Sequence, residues 1–152
     1  MLEDSVHKAT VTNILEDGLF CNIDADGHKL VGDEPEELGG HNKGPAPYHY
    51  LATALGTCTA MTLNMYANRK QWPVEQIKVD VIHKKIKAED CEDCETEKGF
   101  VDILERQIKV TGDLDREQQE RMLEIANKCP VHRTLMGELK IRSKLVCRAN
   151  QQ

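Results

Sequence analysis

The run from Gly44 to Asn68, GPAPYHYLATALGTCTAMTLNMYAN, contains no Asp, Glu, Lys or Arg, in a chain where charged residues make up 30% of the total. A run of this length without charge has to be buried, in a protein core or in a membrane. It is interrupted at His49, Thr53, Gly56, Thr57, Thr59, Thr62 and Asn64, so it lacks the unbroken apolar run of a membrane span. The Gly-Pro-x-Pro opening suits a helix start, because proline pre-sets φ and the first turn needs no amide donor there. The spacing predicts a buried helix over 47–70, closed by Arg69 and Lys70, where cations favour the helix dipole. Leu51, Leu55, Cys58, Thr62 and Met65 recur at steps of four and three, which puts Cys58 on the seam expected to face the core. Small residues fill the other faces and allow close approach. Gly56 costs about 1 kcal/mol relative to Ala in a helix, a cost that close packing offsets.

The rest of the chain supplies sheet around this helix. Asp17-Gly18 and Asp26-Gly27 separate three short alternating runs, the pattern of N-terminal hairpins over 1–46. Cys21, in the second run, reads as a buried small apolar side chain. The loop over 33–46 is long and irregular, and it delivers His41 and Lys43 near the helix start. Residues 74–88 and 100–111 alternate and predict a long hairpin within 74–112. Asp115 with Gln118 forms a capping-box signature for a second helix, whose apolar face is Met122, Ile125, Ala126 and Cys129. Pro130 stops that helix, VHRTLMG reads as a helical turn, and ELKIRSKLV as a final strand within 113–148. The order β-β-β-α-β-β-α-β predicts one α+β domain over 1–152, with two main helices packed on antiparallel sheet.

Composition excludes several functions. A net charge of −6 argues against binding a phosphate backbone, no basic amphipathic helix for a membrane surface is present, and no cofactor motif appears. The acidic N-terminus lacks the pattern of a secretion signal, so the expected location is cytoplasmic and the six cysteines are expected to be thiols, redox groups or metal ligands. Only 4% of residues are aromatic, which makes a thin aliphatic core that a second subunit could complete.

Cys58 and Cys129 each lie on the apolar face of a predicted helix. If those helices pack together, the thiols meet, and one could attack an oxidant while the other resolves the sulfenic acid. Two buried structural cysteines would give the same pattern. A reactive Cys58 needs a cation or donor, because burial raises a thiol above its ordinary pKa of about 8.5 and the helix start is about three turns away. His132 and Arg133, just after Cys129-Pro130, are the first candidates, and His41 and Lys43 the second. His49 falls on the opposite helix face and is not expected to be the base. Cys91-Glu92-Asp93-Cys94 lies in an acidic loop. It is read first as exposed thiols, second as a metal site with His83 in reach, and third as a redox pair.

Together, GPAPYHYLATALGTCTAMTLNMYA and KCPVHRTL resemble the OsmC/Ohr family of osmotically inducible and organic hydroperoxide resistance proteins, in order along most of the chain. The resemblance implies an intertwined homodimer with sites at the subunit interface. It also implies reduction of organic hydroperoxides by a peroxidatic cysteine, matched by Cys58, and a resolving cysteine, matched by Cys129, with a dithiol as reductant. The candidate pocket around Cys58 is Tyr48, Leu51, Leu55 and Thr62. Peroxidatic members carry an N-terminal arginine held by a glutamate before the first cysteine. Here the first arginine is Arg69, and Tyr48 or His49 stands at the glutamate position. A dimer that binds an apolar or acyl ligand without peroxidase chemistry is the alternative reading.

Overall fold

A computed structural model describes residues 5–149. Five strands and three α-helices follow in the order β1 (Ala9–Asn13), β2 (Cys21–Ala25), β3 (His28–Gly32), α1 (Pro47–Lys70), β4 (Val74–Lys87), β5 (Phe100–Gly112), α2 (Arg116–Ala126) and α3 (Pro130–Met136). The chain divides into two compact units, one formed by 1–56 with 79–108 and the other by 57–78 with 109–152. The division falls within α1, β4 and β5.

In the first unit, β1, β2 and β3 form an antiparallel meander. Ala25 pairs with His28 across a two-residue turn in which Asp26 and Gly27 both have positive φ, 48° and 93°. That is the hairpin turn whose twist matches the strands and which the Asp-Gly pair favours. Val11, Ile23 and Leu30 stand in register across the three strands. They line an apolar cavity of about 620 Å³ together with Leu19, Cys21 and Tyr50. Cys21 is therefore half-buried on a cavity wall rather than fully buried in a core.

The loop over 33–46 is organised by Asp33, whose carboxylate accepts from the backbone amides of Glu34, His41 and Lys43 at 2.9, 3.2 and 3.1 Å. Asp33 is only 3% exposed. Burial pushes its carboxyl up, but the three amides outweigh burial and hold it below the usual range. Gly40 is required there, since a Cβ would lie 1.9 Å from the Glu34 carbonyl oxygen. His41 and Lys43 thus contribute their backbones to a loop clamp.

The helix α1 has the expected limits. Pro47 opens it, and the Ala46 amide is capped by His49 Nδ1 at 3.0 Å, which gives His49 a structural task at the helix start. The Tyr50 hydroxyl donates to the Val31 carbonyl, tying the helix start to β3. A Cβ on Gly56 would sit 3.3 Å from Val81 Cγ2, so the small residue permits the close approach of β4 that the sequence implies. The predicted seam is displaced. The buried residues of α1 are Leu55, Thr59, Leu63, Tyr66 and Ala67, while Met65 is 62% exposed and Cys58 is half-buried at the edge of that face. Apolar residues occur all round this helix, so periodicity alone did not fix which line of them faces inward.

In the second unit, Met122, Ile125 and Ala126 are the buried face of α2, and Asp115 and Gln118 complete the expected reciprocal capping box. Tyr66 meets Trp72 edge-on at 5.3 Å and receives the Arg121 Nε–H on its hydroxyl at 3.1 Å. The expected final strand does not form: residues 138–149 have no regular structure. Leu139, Ile141, Leu145 and Val146 are exposed, Ile141 by 86% and Leu145 by 87%. A strand exists only with a partner, and this segment makes no ladder within a single chain. No helix among the described residues is long and apolar enough to cross a membrane.

Candidate functional site

The site starts from a local signal, Cys129-Pro130. Cys129 is the N-cap of α3, with extended backbone and its sulfur accepting from the His132 amide at 3.3 Å. Pro130 occupies the first helical position, where its missing donor is harmless. The residue expected to end the second helix therefore begins a third one. This turns amides of the first α3 turn toward sulfur. The Val131 amide donates to the sulfur of Cys58, and the His132 amide to that of Cys129.

Cys58 and Cys129 are both free thiols, within hydrogen-bonding reach of each other. Cys129 is fully buried, and the Thr59 hydroxyl, also fully buried, lies 3.8 Å from its sulfur. Cys58 is half-buried. Burial pushes the Cys58 thiol above the ordinary range; the Val131 amide pulls it down, neighbouring Cys129 pushes it up, and the Thr62 hydroxyl pulls it down. Burial prevails, so the resting form of Cys58 is a thiol held beside the Cys129 sulfur. The arrangement is suited to a thiolate that forms transiently and to a negatively charged oxygen or sulfur in front of two backbone amides.

The other expected site residues are distributed as follows. Thr62 reaches the thiol itself. Leu55 is buried, Leu51 half-buried, and Tyr48 half-exposed with its ring stacked on His83 at 4.0 Å. His83 in turn lies 2.8 Å from Asp102, which also pairs with Lys85 at 2.9 Å. His132 contributes its amide, and Arg133 is an exposed residue of α3. The sequence marks His132 and Arg133 as candidate cations or donors for Cys58, and a backbone amide leaves no such mark. The Cys-Pro pair was the available signal, since it is also an N-cap followed by proline.

The loop cysteines depart from expectation. Cys91 and Cys94 are half-buried and bonded to each other, with Cα atoms 5.5 Å apart, rather than being exposed free thiols. The reason is local: two cysteines three residues apart in a tight turn fall within disulfide reach. Asp93 joins them in a cluster whose ligand atoms lie within 4.8 Å of one another.

Residues 40–144 match the family model described as OsmC-like protein. Among solved structures, the chain is similar to an organic hydroperoxide resistance protein OsmC from Legionella pneumophila, at 19% identity over 90% of this chain and 93% of that one, with a TM-score of 0.65. It is similar to an OsmC-like protein from Mycoplasma pneumoniae, at 18% identity over 88% and 89% of the two chains, with a TM-score of 0.67. An organic hydroperoxide resistance protein from Elizabethkingia anophelis, with thiocyanate bound, gives 19% identity over 90% and 92%, with a TM-score of 0.66. No curated protein matches. At these identities the structural likeness carries the fold.

Proposed function

We propose, for a chain that belongs to the OsmC-like protein family, thiol-dependent reduction of organic hydroperoxides through Cys58 and Cys129. The observation that carries the reading is the sulfur pair: Cys58 beside buried Cys129, each sulfur accepting from an amide at the start of α3. The Cys58 thiol loses its proton and attacks the outer oxygen of R–O–O–H. The O–O bond breaks, the alcohol leaves, and Cys58 becomes a sulfenic acid. The Cys129 thiol then attacks the Cys58 sulfur, water leaves, and a disulfide forms. A dithiol reduces that disulfide and returns both thiols. The Val131 amide takes the place in this scheme that a side-chain cation was expected to fill. Arg133 is the proposed second source of positive charge, and Arg133→Ala is expected to slow Cys58 oxidation at neutral pH.

The functional form is a homodimer in this reading. The exposed apolar residues Leu139, Ile141, Leu145 and Val146 support it, because a second copy can supply the partner such a segment lacks. The test is thiol titration before and after one equivalent of cumene hydroperoxide, with Cys58→Ser as control. Rapid loss of one thiol pair that disappears in the variant supports the reading; slow loss, or loss independent of Cys58, sinks it. The second reading, an apolar or acyl ligand carrier, is favoured by the 620 Å³ cavity behind Val11, Ile23 and Leu30. It predicts binding of a fatty acyl probe that Cys58→Ser leaves intact.

A further inference from the structure

The loop joining β4 to β5 contains chemistry that the Cys58 reaction does not use. It is pinned at its base, where the Ala88 amide donates to the Gly99 carbonyl at 2.8 Å and Ala88 is buried. Above this base, Cys91 and Cys94 close a disulfide, and Cys91 Sγ lies 3.3 Å from Asp93 Oδ1. Over 88–98 there are six acids, Glu89, Asp90, Glu92, Asp93, Glu95 and Glu97, all exposed, against one cation, Lys98. Two features therefore coincide. The backbone already places the sulfurs for bond formation, and a concentrated negative field surrounds them.

We propose that Cys91 and Cys94 form a second thiol–disulfide exchange site whose substrates are disulfides carrying positive charge. In the reduced state the Asp93 carboxylate accepts the Cys91 S–H, so Cys94 is the attacking group. Its proton goes to solvent, and its sulfur bonds to one sulfur of R–S–S–R. The substrate's own S–S bond breaks, the first R–S⁻ leaves and takes up a proton, and a mixed disulfide remains on Cys94. Cys91 then passes its proton to Asp93 and attacks the Cys94 sulfur. The second R–SH leaves, and the Cys91–Cys94 bond is restored. Two electrons pass from the cysteine pair to the substrate, and a small dithiol recharges the pair by the same exchange in reverse.

Charge selects the substrate because approach precedes exchange. Exposed charges act over about 10 Å at 0.1 M salt, enough to cover this loop, and steering of this kind changes encounter rates by about 10- to 1000-fold at low ionic strength. An anionic disulfide is repelled and a cationic one concentrated. A disulfide flanked by lysines or arginines in a peptide has the required chemistry.

The test follows the Cys91–Cys94 peptide by mass, so that the other cysteines do not interfere. Wild-type protein is reduced with dithiothreitol, freed of it, and mixed at pH 8 with cystamine, bis(2-hydroxyethyl) disulfide or glutathione disulfide. Each rate is divided by that of free dithiothreitol with the same reagent. The expected order is cystamine, then the neutral disulfide, then glutathione disulfide. The ends should differ by about tenfold at low salt and by less than about twofold at 1 M salt. Cys91→Ser should hold the mixed disulfide on Cys94, and Glu92→Gln with Glu95→Gln should narrow the ranking. Equal rates, the reverse order, or an order insensitive to salt overturns the proposal. So does reduced protein that retains zinc through gel filtration and no longer exchanges. The result is independent of the hydroperoxide reading, which is decided on the Cys58 peptide.

Discussion

Removing the Val131 amide isolates the contribution of backbone to the chemistry of Cys58. Replacing Val131 by its α-hydroxy analogue turns one N–H into an ester oxygen and keeps the side chain. The donor sits in the first turn of α3, where it has no intrahelical acceptor to lose, so the helix is expected to persist. A hydrogen bond to a charged acceptor contributes about 1.5–3 kcal/mol. Cys58 is half-buried, and water can replace part of that interaction, so the lower end applies. About 1.4 kcal/mol corresponds to a tenfold change. The rate of Cys58 alkylation by iodoacetamide at pH 7, followed on the Cys58 peptide, should fall about tenfold. In both proteins the rate should keep rising with pH through the neutral range, because the thiol is held above its ordinary value and the thiolate is a minor species there. A change of less than twofold, with the α3 signature intact by circular dichroism, would refute the role assigned to this amide.

Other perturbations test the frame that holds the site. Leu63 is fully buried, so Leu63→Ala removes three carbons worth about 0.8 kcal/mol each and leaves a cavity; urea unfolding should show a loss of about 3 kcal/mol. Met61→Ala, at a 61% exposed position of α1, is the control with little effect at protein concentrations too low for association. The Asp33 carboxyl is held low in the folded chain, so its contribution is present above the unfolded value of about 3.9 and is lost as pH falls through the folded value. The stability gap between wild type and Asp33→Asn, from thermal melts, should accordingly be full at pH 6 and shrink below pH 4. The proposed homodimer predicts that Ile141→Asp with Leu145→Asp shifts sedimentation toward the monomer without changing the far-ultraviolet spectrum of the single chain.

The helix bounds were legible because several signals agree at each end of α1: the loss of charge at Gly44, proline at position 47, and Arg69-Lys70 at the close. The capping box at Asp115 was legible for the same reason, since side chains carry it. The Cys58 and Cys129 pairing was suggested by two helices with apolar faces and by a family resemblance, and Cys129 is among the groups that act on the Cys58 thiol. What escaped is what side-chain identity does not encode. Every residue has an amide, so nothing in Val131 marks it as the donor to Cys58. The seam of α1 escaped because apolar residues surround the helix, and the inward line runs through Thr59 and Leu63. The segment 138–149 alternates as a strand should, yet a strand depends on a partner that the chain alone does not supply. The acidic setting of Cys91 and Cys94 suggests exposed thiols, whereas their spacing of three residues closes a disulfide.

The central claim is that Cys58 reacts first and Cys129 resolves it. The most direct measurement is peptide mapping of fully reduced wild-type protein after one equivalent of cumene hydroperoxide and rapid alkylation. The account predicts a single new cross-link joining the Cys58 and Cys129 peptides, with Cys129→Ser giving a Cys58 sulfenic acid that proceeds to the sulfinic form under excess peroxide. An unmodified Cys58 with oxidation at other sulfurs, or a Cys58 sulfinic acid in wild type with Cys129 still free, would contradict it.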